Sequence, residues 1–158
     1  MKRLSLHAVS AAVLAATLGA PAFAFAQVTV KDPWVRATVP EQKATGAFMQ
    51  LSAPAGARLV EVRSSVAGVV EIHEMSMEGT TMKMRAVPGI DLPAGKQVDF
   101  KPGGYHVMLM DLKQPLKDGQ TVALTLILEG PDKKRESVEV KAPVRGQGGP
   151  MPMDKPKP

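Results

Sequence analysis

Short segments of alternating apolar and polar residues, separated by turns, run through this sequence from Val28 onward and most constrain its fold. Alternation with a period of two places successive side chains on opposite faces of a β-strand. Glycine and proline recur between the segments at roughly ten-residue spacing, and the mature chain shows no helical period of normal length. Roughly eight to ten short strands of this kind predict an all-β protein, namely an antiparallel β-sandwich.

Residues 1–26 are predicted to be a cleavable signal peptide. A basic start, Lys2-Arg3, precedes an apolar run over residues 4–18, which is shorter than the ~20 residues that a membrane span needs. Ala24-Phe25-Ala26 has the small-x-small pattern of a signal peptidase site, so Gln27 is expected to begin the mature chain. The alternative is an uncleaved membrane anchor, which fits less well because the apolar run is too short to span a membrane. We therefore expect export to the periplasm and no membrane span in the mature chain.

The mature chain is predicted to form one domain, residues 27–142, followed by a tail, residues 143–158. A chain of 158 residues is long enough for one domain with a real core and too short for two ordinary ones. From Pro143 onward, glycine, proline and lysine dominate the sequence (PVRGQGGPMPMDKPKP). We expect this tail to be disordered, because such a composition cannot bury enough apolar surface to fold.

Composition excludes several classes of protein. The sequence has no cysteine, so neither a disulfide nor a thiolate ligand is available. Of the 20 basic residues, Lys2 and Arg3 are lost with the leader, which leaves 18 against 15 acidic residues and a formal charge of +3. Such a small surplus, spread along a chain with few aromatic residues, argues against nucleic-acid binding. We expect the mature protein to be a monomer.

The segment from His73 to Met110 holds most of the residues that could carry chemistry. It contains His73 and His106, the two histidines that remain without the leader, and six of the ten methionines. Each histidine begins a His-x-Met-x-Met pattern on a predicted strand, so its imidazole and the thioethers share a face. The short connection Glu78-Gly79-Thr80 predicts a hairpin that brings a further methionine pair alongside the first. The six methionines are Met75, Met77, Met82, Met84, Met108 and Met110.

Imidazoles and thioethers without any thiol form a ligand set suited to Cu(I). Zinc sites prefer cysteine, histidine and carboxylate ligands, blue copper centres need a cysteine thiolate, and oxygen-seeking ions need clustered carboxylates. A neutral ligand set can hold copper and still release it, as a carrier must. The alternative is that the methionines fill a core, because methionine is a common gap filler there.

The sequence gives no indication of catalysis, and we expect a protein that is not an enzyme. It has no cysteine nucleophile, no defensible Ser-His-Asp arrangement, and no third histidine in the mature chain for a catalytic zinc or type-2 copper site. Two other classes stay open at this point. One is a structural or interaction β-sandwich whose methionines are core, and the other is a metalloenzyme or electron carrier.

The spacing of these residues resembles that of the periplasmic copper chaperones called PCu(A)C. The signature of that family is a histidine, ten intervening residues, a methionine, twenty-one intervening residues and then His-x-Met. His73, Met84, His106 and Met108 match every position of this signature. The flanking segments MRAVPGIDLPAG and KPGGYHVMLMDLKQPL also look like the family. The resemblance covers most of the mature chain and is strongest over residues 69–116.

The resemblance implies a cupredoxin-like Greek-key β-sandwich that binds one Cu(I) through the four signature residues. It also implies delivery of copper to the binuclear copper site in subunit II of cytochrome c oxidase, alongside a thiol-bearing Sco-type partner. Copper buffering for resistance is the alternative role of the same site. Some relatives carry a His- and Met-rich tail that binds Cu(II), but the tail here has Met151 and Met153 without a histidine.

Four methionines of the segment lie outside the signature. As packing residues they would form a hydrophobic rim around the metal, which is the interpretation that the general role of methionine in cores favours. As functional residues they would form a relay or a patch for partner docking, because soft exposed thioethers suit exchange surfaces. These accessory candidates are Met75, Met77, Met82 and Met110.

Overall fold

The computed structural model describes residues 28–146, which form ten β-strands and no helix. The predicted leader and residues 147–158 of the predicted tail lie outside the described residues. Within residues 28–146 no helix is long and apolar enough to cross a membrane. The strands are β1 (Thr29–Arg36), β2 (Ala44–Ser52), β3 (Ala57–Arg63), β4 (Ala67–Glu78), β5 (Thr81–Ala86), β6 (Ile90–Leu92), β7 (Gln97–Phe100), β8 (His106–Leu112), β9 (Thr121–Glu129) and β10 (Arg135–Arg145).

The strands form a sandwich-like mixed sheet. Hydrogen bonds join them in the order β5-β4-β8-β2-β1-β10-β9-β3-β6, and β7 pairs with β2 beside that path. Neighbours that are distant in sequence, such as β4 and β8, are the crossovers of a Greek-key arrangement. The all-β sandwich prediction is confirmed.

One strand pair departs from the predicted antiparallel arrangement. Strands β1 and β10 are parallel, with Val35 opposite Val144 and Arg36 opposite Arg145, whereas the other strand pairs of residues 28–146 are antiparallel. The last strand returns beside the first in the same direction, and this pairing joins the β5-β4-β8-β2-β1 part to the β10-β9-β3-β6 part. Alternation along a single strand carries no information about such a long-range contact.

One face of β8 packs into the hydrophobic core, and the other face carries the candidate functional residues. Val107 and Leu109 in β8 are completely buried, as is Ala47 on the neighbouring strand β2. Because strand side chains alternate, His106 and Met108 lie on the opposite face of the same strand. Strand β9 supplies the facing core side chains Val122, Leu124, Leu126 and Leu128.

Strand β10 continues to Arg145, three residues beyond the predicted end of the domain at residue 142. Val144 is only 2% exposed and pairs with Val35. Its N–H donates to the carbonyl of Gln120, and its carbonyl accepts from the N–H of Gly119. The predicted boundary is wrong because the glycine and proline content of the tail hid the last residues of the alternation. A proline at a strand end does not break the ladder where its missing N–H is not needed.

A chain that ends at Ala142 should be less stable than one that ends at Gly146. The shorter chain loses the burial of Val144, worth roughly 1.5–3 kcal/mol for a fully buried aliphatic side chain, together with its two backbone hydrogen bonds. Urea unfolding of both chains, followed by circular dichroism, measures the difference. Equal unfolding midpoints would show that residues 143–146 contribute nothing to the folded domain.

Candidate metal centre

The two histidines lie directly opposite each other on adjacent antiparallel strands. The register of β4 and β8 pairs His73 with His106, and the two ring centroids are 5.7 Å apart with an angle of 61° between the rings. Both side chains are buried, at 8% and 7% exposure. The fold therefore joins two imidazoles that are far apart in sequence into one site.

The hairpin of β4 and β5 brings the methionines next to this pair. A two-residue loop begins at Gly79, whose φ of 62° is the positive value that the tight hairpin turns require at this position. Met75 pairs with Met84, and Met77 pairs with Met82. The hairpin expected between Met77 and Met82 is therefore present.

The closest approach in the site joins Met84 to His106. The Sδ atom of Met84 lies 3.1 Å from Nε2 of His106, while Nδ1 of the same ring lies 3.0 Å from the carbonyl oxygen of Gly104. Because a carbonyl can only accept, Nδ1 carries the proton and donates it, which leaves a lone pair on Nε2 of the neutral ring. A thioether sulfur has no hydrogen to donate. Two lone-pair donors therefore face each other, an arrangement that a soft cation would stabilise.

His73 is oriented by a carboxylate on its own strand. Its Nε2 lies 2.7 Å from Oε2 of Glu71, so this nitrogen is the donor to an ionised carboxylate. Its Nδ1 is buried and has no hydrogen-bond partner among the described residues. A buried N–H without an acceptor costs about 1–3 kcal/mol, so the tautomer with a bare Nδ1 is favoured. An imidazole held by a carboxylate, with its other nitrogen free, is the usual arrangement of a metal-ligating histidine.

Met108 lies on the same face of β8 as His106, two residues further along. The register places it between Gly46 on β2 and Glu71 on β4, and its side chain is half-buried. The structure thus brings three of the four signature side chains into contact and places the fourth beside them on the same face.

The other methionines do not share one environment. Met75 and Met110 are half-buried beside the site, whereas Met77 and Met82 at the end of the hairpin are 61% and 45% exposed. Met49, a true core methionine on β2, is 1% exposed. Met75 and Met110 are thus partly covered by neighbouring groups, whereas the exposed pair Met77 and Met82 does not fit a packed hydrophobic rim.

Aromatic side chains cover another side of the site. The ring of Phe48 lies 6.4 Å from that of His106 and 4.6 Å from that of Trp34, between centroids. A bulge in β1, with a register shift between Lys31 and Trp34, aligns Trp34 opposite Phe48. The guanidinium of Arg36 lies 5.4 Å from the centre of the Phe48 ring. These groups shield the His106 imidazole from water on the side away from Met84.

Sequence reasoning missed the groups that orient the imidazoles. Glu71 could have been found, because it lies two residues before His73 on a predicted strand and therefore shares its face. The carbonyl of Gly104 and the ring of Phe48 carry no such local signal, since each acts through the fold.

The donor set restricts the metal. Within residues 28–146 no group of three histidine, cysteine or carboxylate side chains could hold a metal ion. The donors beside His73 and His106 are the thioether sulfurs of Met84 and Met108, which suit a soft ion such as Cu(I) better than Zn(II), Ca(II) or Mg(II).

Comparison with known sequences identifies relatives. Residues 28–144 match a family described as "Putative lipoprotein LpqE-like". The "Putative lipoprotein Lxx21020" of Leifsonia xyli subsp. xyli is 34% identical over 100 residues, which is 63% of this chain and 60% of that protein. The matched part of this chain thus spans less than two thirds of the length of this relative. An uncharacterized protein of Rickettsia prowazekii, RP573, is 32% identical over 121 residues, covering 73% of this chain and 67% of the relative.

Comparison with solved structures identifies the fold. The copper-bound PCuAC domain from PmoF2 has a TM-score of 0.62 and 26% identity, covering 76% of this chain and 93% of that domain. The solution structure of apo-DR1885 from Deinococcus radiodurans has a TM-score of 0.58 and 30% identity, covering 92% and 96% of the two chains. For CuI-DR1885 the values are 0.54 and 31%, covering 81% and 83%. The predicted cupredoxin-like fold is confirmed.

We expect the two imidazoles to hold opposite tautomers in the metal-free protein, with the proton on Nε2 of His73 and on Nδ1 of His106. Long-range ¹H–¹⁵N NMR spectra distinguish the two forms at alkaline pH, where an imidazole is neutral. Glu71→Leu should abolish the single tautomer of His73 and leave His106 unchanged.

Glu74→Leu is the matched control for this experiment. Glu74 lies on the same strand but on the opposite face, where it accepts a hydrogen bond from Arg85. Its replacement should leave both tautomers as they are. Identical tautomers in the two rings of the unmodified protein would contradict the assignment.

Proposed function

Since this chain belongs to the LpqE-like family, of the PCuAC type, we propose that it is a carrier that binds one Cu(I) tightly and is not an enzyme. The observation that carries the proposal is the convergence of donor atoms at one place. Nε2 of His106 faces Sδ of Met84 at 3.1 Å, and the adjacent ring of His73 has a buried Nδ1 without a hydrogen-bond partner in the described part of the chain. The copper-bound PmoF2 domain and CuI-DR1885 support the choice of metal, and the second supports its oxidation state.

The four proposed ligands are His73 through Nδ1, His106 through Nε2, and the sulfurs of Met84 and Met108. All four are neutral, and Cu(I), with a filled d shell, accepts imidazole and thioether in low coordination numbers. Glu71 and the carbonyl of Gly104 would hold the two rings in the tautomers that binding needs.

The placement of the ligands suits transfer of the ion. The two imidazoles are buried, whereas Met84 is 51% exposed on β5, at the edge of the sheet. A partner could therefore reach the ion from the Met84 side and replace one soft ligand at a time. A purely structural role fits these side chains less well, because Met84 is exposed and Nδ1 of the buried His73 has no hydrogen-bond partner within residues 28–146.

The proposed setting is the periplasm, where the protein would act as a monomer after removal of its leader. A family description and a relative that both name a lipoprotein support export. The proposed recipient is the binuclear copper site in subunit II of cytochrome c oxidase, with a thiol-bearing Sco-type protein as a second partner in the transfer. Buffering of copper for resistance is the alternative use of the same site.

Removing one ligand should weaken Cu(I) binding sharply. We expect Met84→Leu and His106→Gln each to lower the affinity by at least about 100-fold, because changes around a metal's ligands already cost roughly 10–100-fold. Anaerobic competition against a chromophoric Cu(I) chelator measures the affinity. Met49→Leu is the control, since this methionine is 1% exposed and lies on the core-facing side of β2, opposite to the face that carries the proposed ligands. Unchanged affinity in both ligand variants would refute the assigned site.

Delivery can be separated from buffering by a transfer experiment. The Cu(I)-loaded protein is mixed with an apo binuclear-copper domain of oxidase subunit II, with and without a reduced Sco-type protein. We expect the visible absorption of the binuclear centre to appear after reoxidation. Copper that stays on the carrier under both conditions would favour the buffering role instead.

A further inference from the structure

The outer end of the β4–β5 hairpin carries a face made of thioethers. The cross-strand pairs Met75–Met84 and Met77–Met82 lie on the same face, two residues apart along each strand. Met84 belongs to the inner pair, and its sulfur lies 3.1 Å from Nε2 of His106. The four methionines therefore form a patch of two cross-strand pairs that extends from the end of the hairpin to the candidate metal centre.

The opposite face of the hairpin is charged and internally neutralised. Arg85 donates to Glu74 at 2.6 Å, and Lys83 donates to Glu78. Both pairs join a cation on β5 to a carboxylate on β4. Because these charged side chains lie on the opposite face, the thioether face of the hairpin has none. A soft cation bound there would meet neither repulsion from lysine or arginine nor competition from carboxylates.

Core packing does not account for the thioethers at the outer end. Every residue of β5 is exposed, and β5 is the last strand on its side of the sheet. Met77, Met82 and Met84 are among the few large hydrophobic side chains of residues 28–146 that are exposed. Leaving apolar groups in water forfeits the free energy that burial would give, so a solvent-exposed cluster of this kind indicates a binding surface.

The sulfurs at the outer end can converge on one ion. Opposite residues of an antiparallel pair have Cβ atoms about 4.5–5.5 Å apart, and residues two positions apart on a strand are roughly 6.6 Å apart. A methionine side chain has three rotatable bonds, so it can adjust its sulfur over distances of this size. Met75, Met77 and Met82 together can therefore supply three thioethers to a single Cu(I).

We propose that Met75, Met77 and Met82 form a second, weaker Cu(I) site, through which the ion passes to and from the centre at His73 and His106. The inference rests on the proposed function of that centre. The site is weaker because it is exposed to water and offers no imidazole. Met84 lies between the two sites, so one thioether can remain bound while the others exchange. The ion stays Cu(I) throughout, and only ligand bonds form and break.

The test uses the double variant Met77→Leu/Met82→Leu. Leucine keeps the apolar surface and approximate volume of the pair but has no sulfur, and the changed side chains are exposed, so folding should be unaffected. Native mass spectrometry under anaerobic Cu(I) titration should show a tight first equivalent and a weaker second one in the unmodified protein. The double variant should bind only the first, with unchanged affinity.

The rate of Cu(I) transfer gives an independent test of the second site. Transfer of the first equivalent to a chromophoric Cu(I) chelator should be roughly tenfold slower in the double variant, a size typical of groups that tune a metal without being its main ligands. In a protein labelled at its methionine methyl carbons, the signals of Met77 and Met82 should shift mainly with the second equivalent. Met110→Leu is the matched control, because it removes a thioether beside the centre but away from the hairpin end.

The possible outcomes separate this inference from the proposed function. A single equivalent in the unmodified protein, or unchanged transfer in the double variant, would overturn the second site while leaving the carrier function intact. Absence of any tight equivalent would overturn the carrier function itself. Should Met77→Ser/Met82→Ser impair transfer to a protein acceptor while the leucine variant does not, the face is an apolar docking surface and not a copper site.

Discussion

The register between β4 and β8 is the constraint on which the candidate metal centre depends. Ile72 pairs with Val107 toward the core, and the next pair along the strands is His73 with His106 on the other face. A slip of one residue would exchange the two faces and expose the apolar pair. The hydrophobic core thus enforces the juxtaposition of the imidazoles, and burial of residues outside the candidate site stabilises its geometry.

The two imidazoles are oriented by different groups, and as a result Nδ1 is unprotonated in His73 whereas Nε2 is unprotonated in His106. A carboxylate of the same strand, Glu71, fixes His73, while a backbone carbonyl in the connection before β8 fixes His106. The aromatic pair Trp34 and Phe48 shields one side of the site, whereas the thioether of Met84 leaves the other side open. Buried nitrogen donors and an exposed sulfur donor together suit the proposed carrier, which must hold its ion and still release it.

Features governed by local periodicity could be predicted from the sequence, and features governed by long-range packing could not. Alternation placed His106 and Met108 on one face, and the short connection at Gly79 predicted the hairpin. The parallel pairing of Val144 with Val35 joins the two ends of the domain, and nothing near either residue indicates it. The exposure of Met77 could not be predicted either. Alternation assigns a side chain to one face of a strand but does not indicate whether other residues cover that face.

The charged face of the hairpin has a consequence for how the protein behaves in concentrated solution. An edge strand presents unpaired backbone groups, and an exposed apolar edge is a template for aggregation with other chains. Strand β5 is such an edge, and every residue on it is exposed. Lys83 and Arg85 alternate with its methionines, and charged side chains on an edge strand discourage pairing with a second strand. The charged side chains that lie opposite the thioether patch thus also oppose edge-to-edge polymerisation.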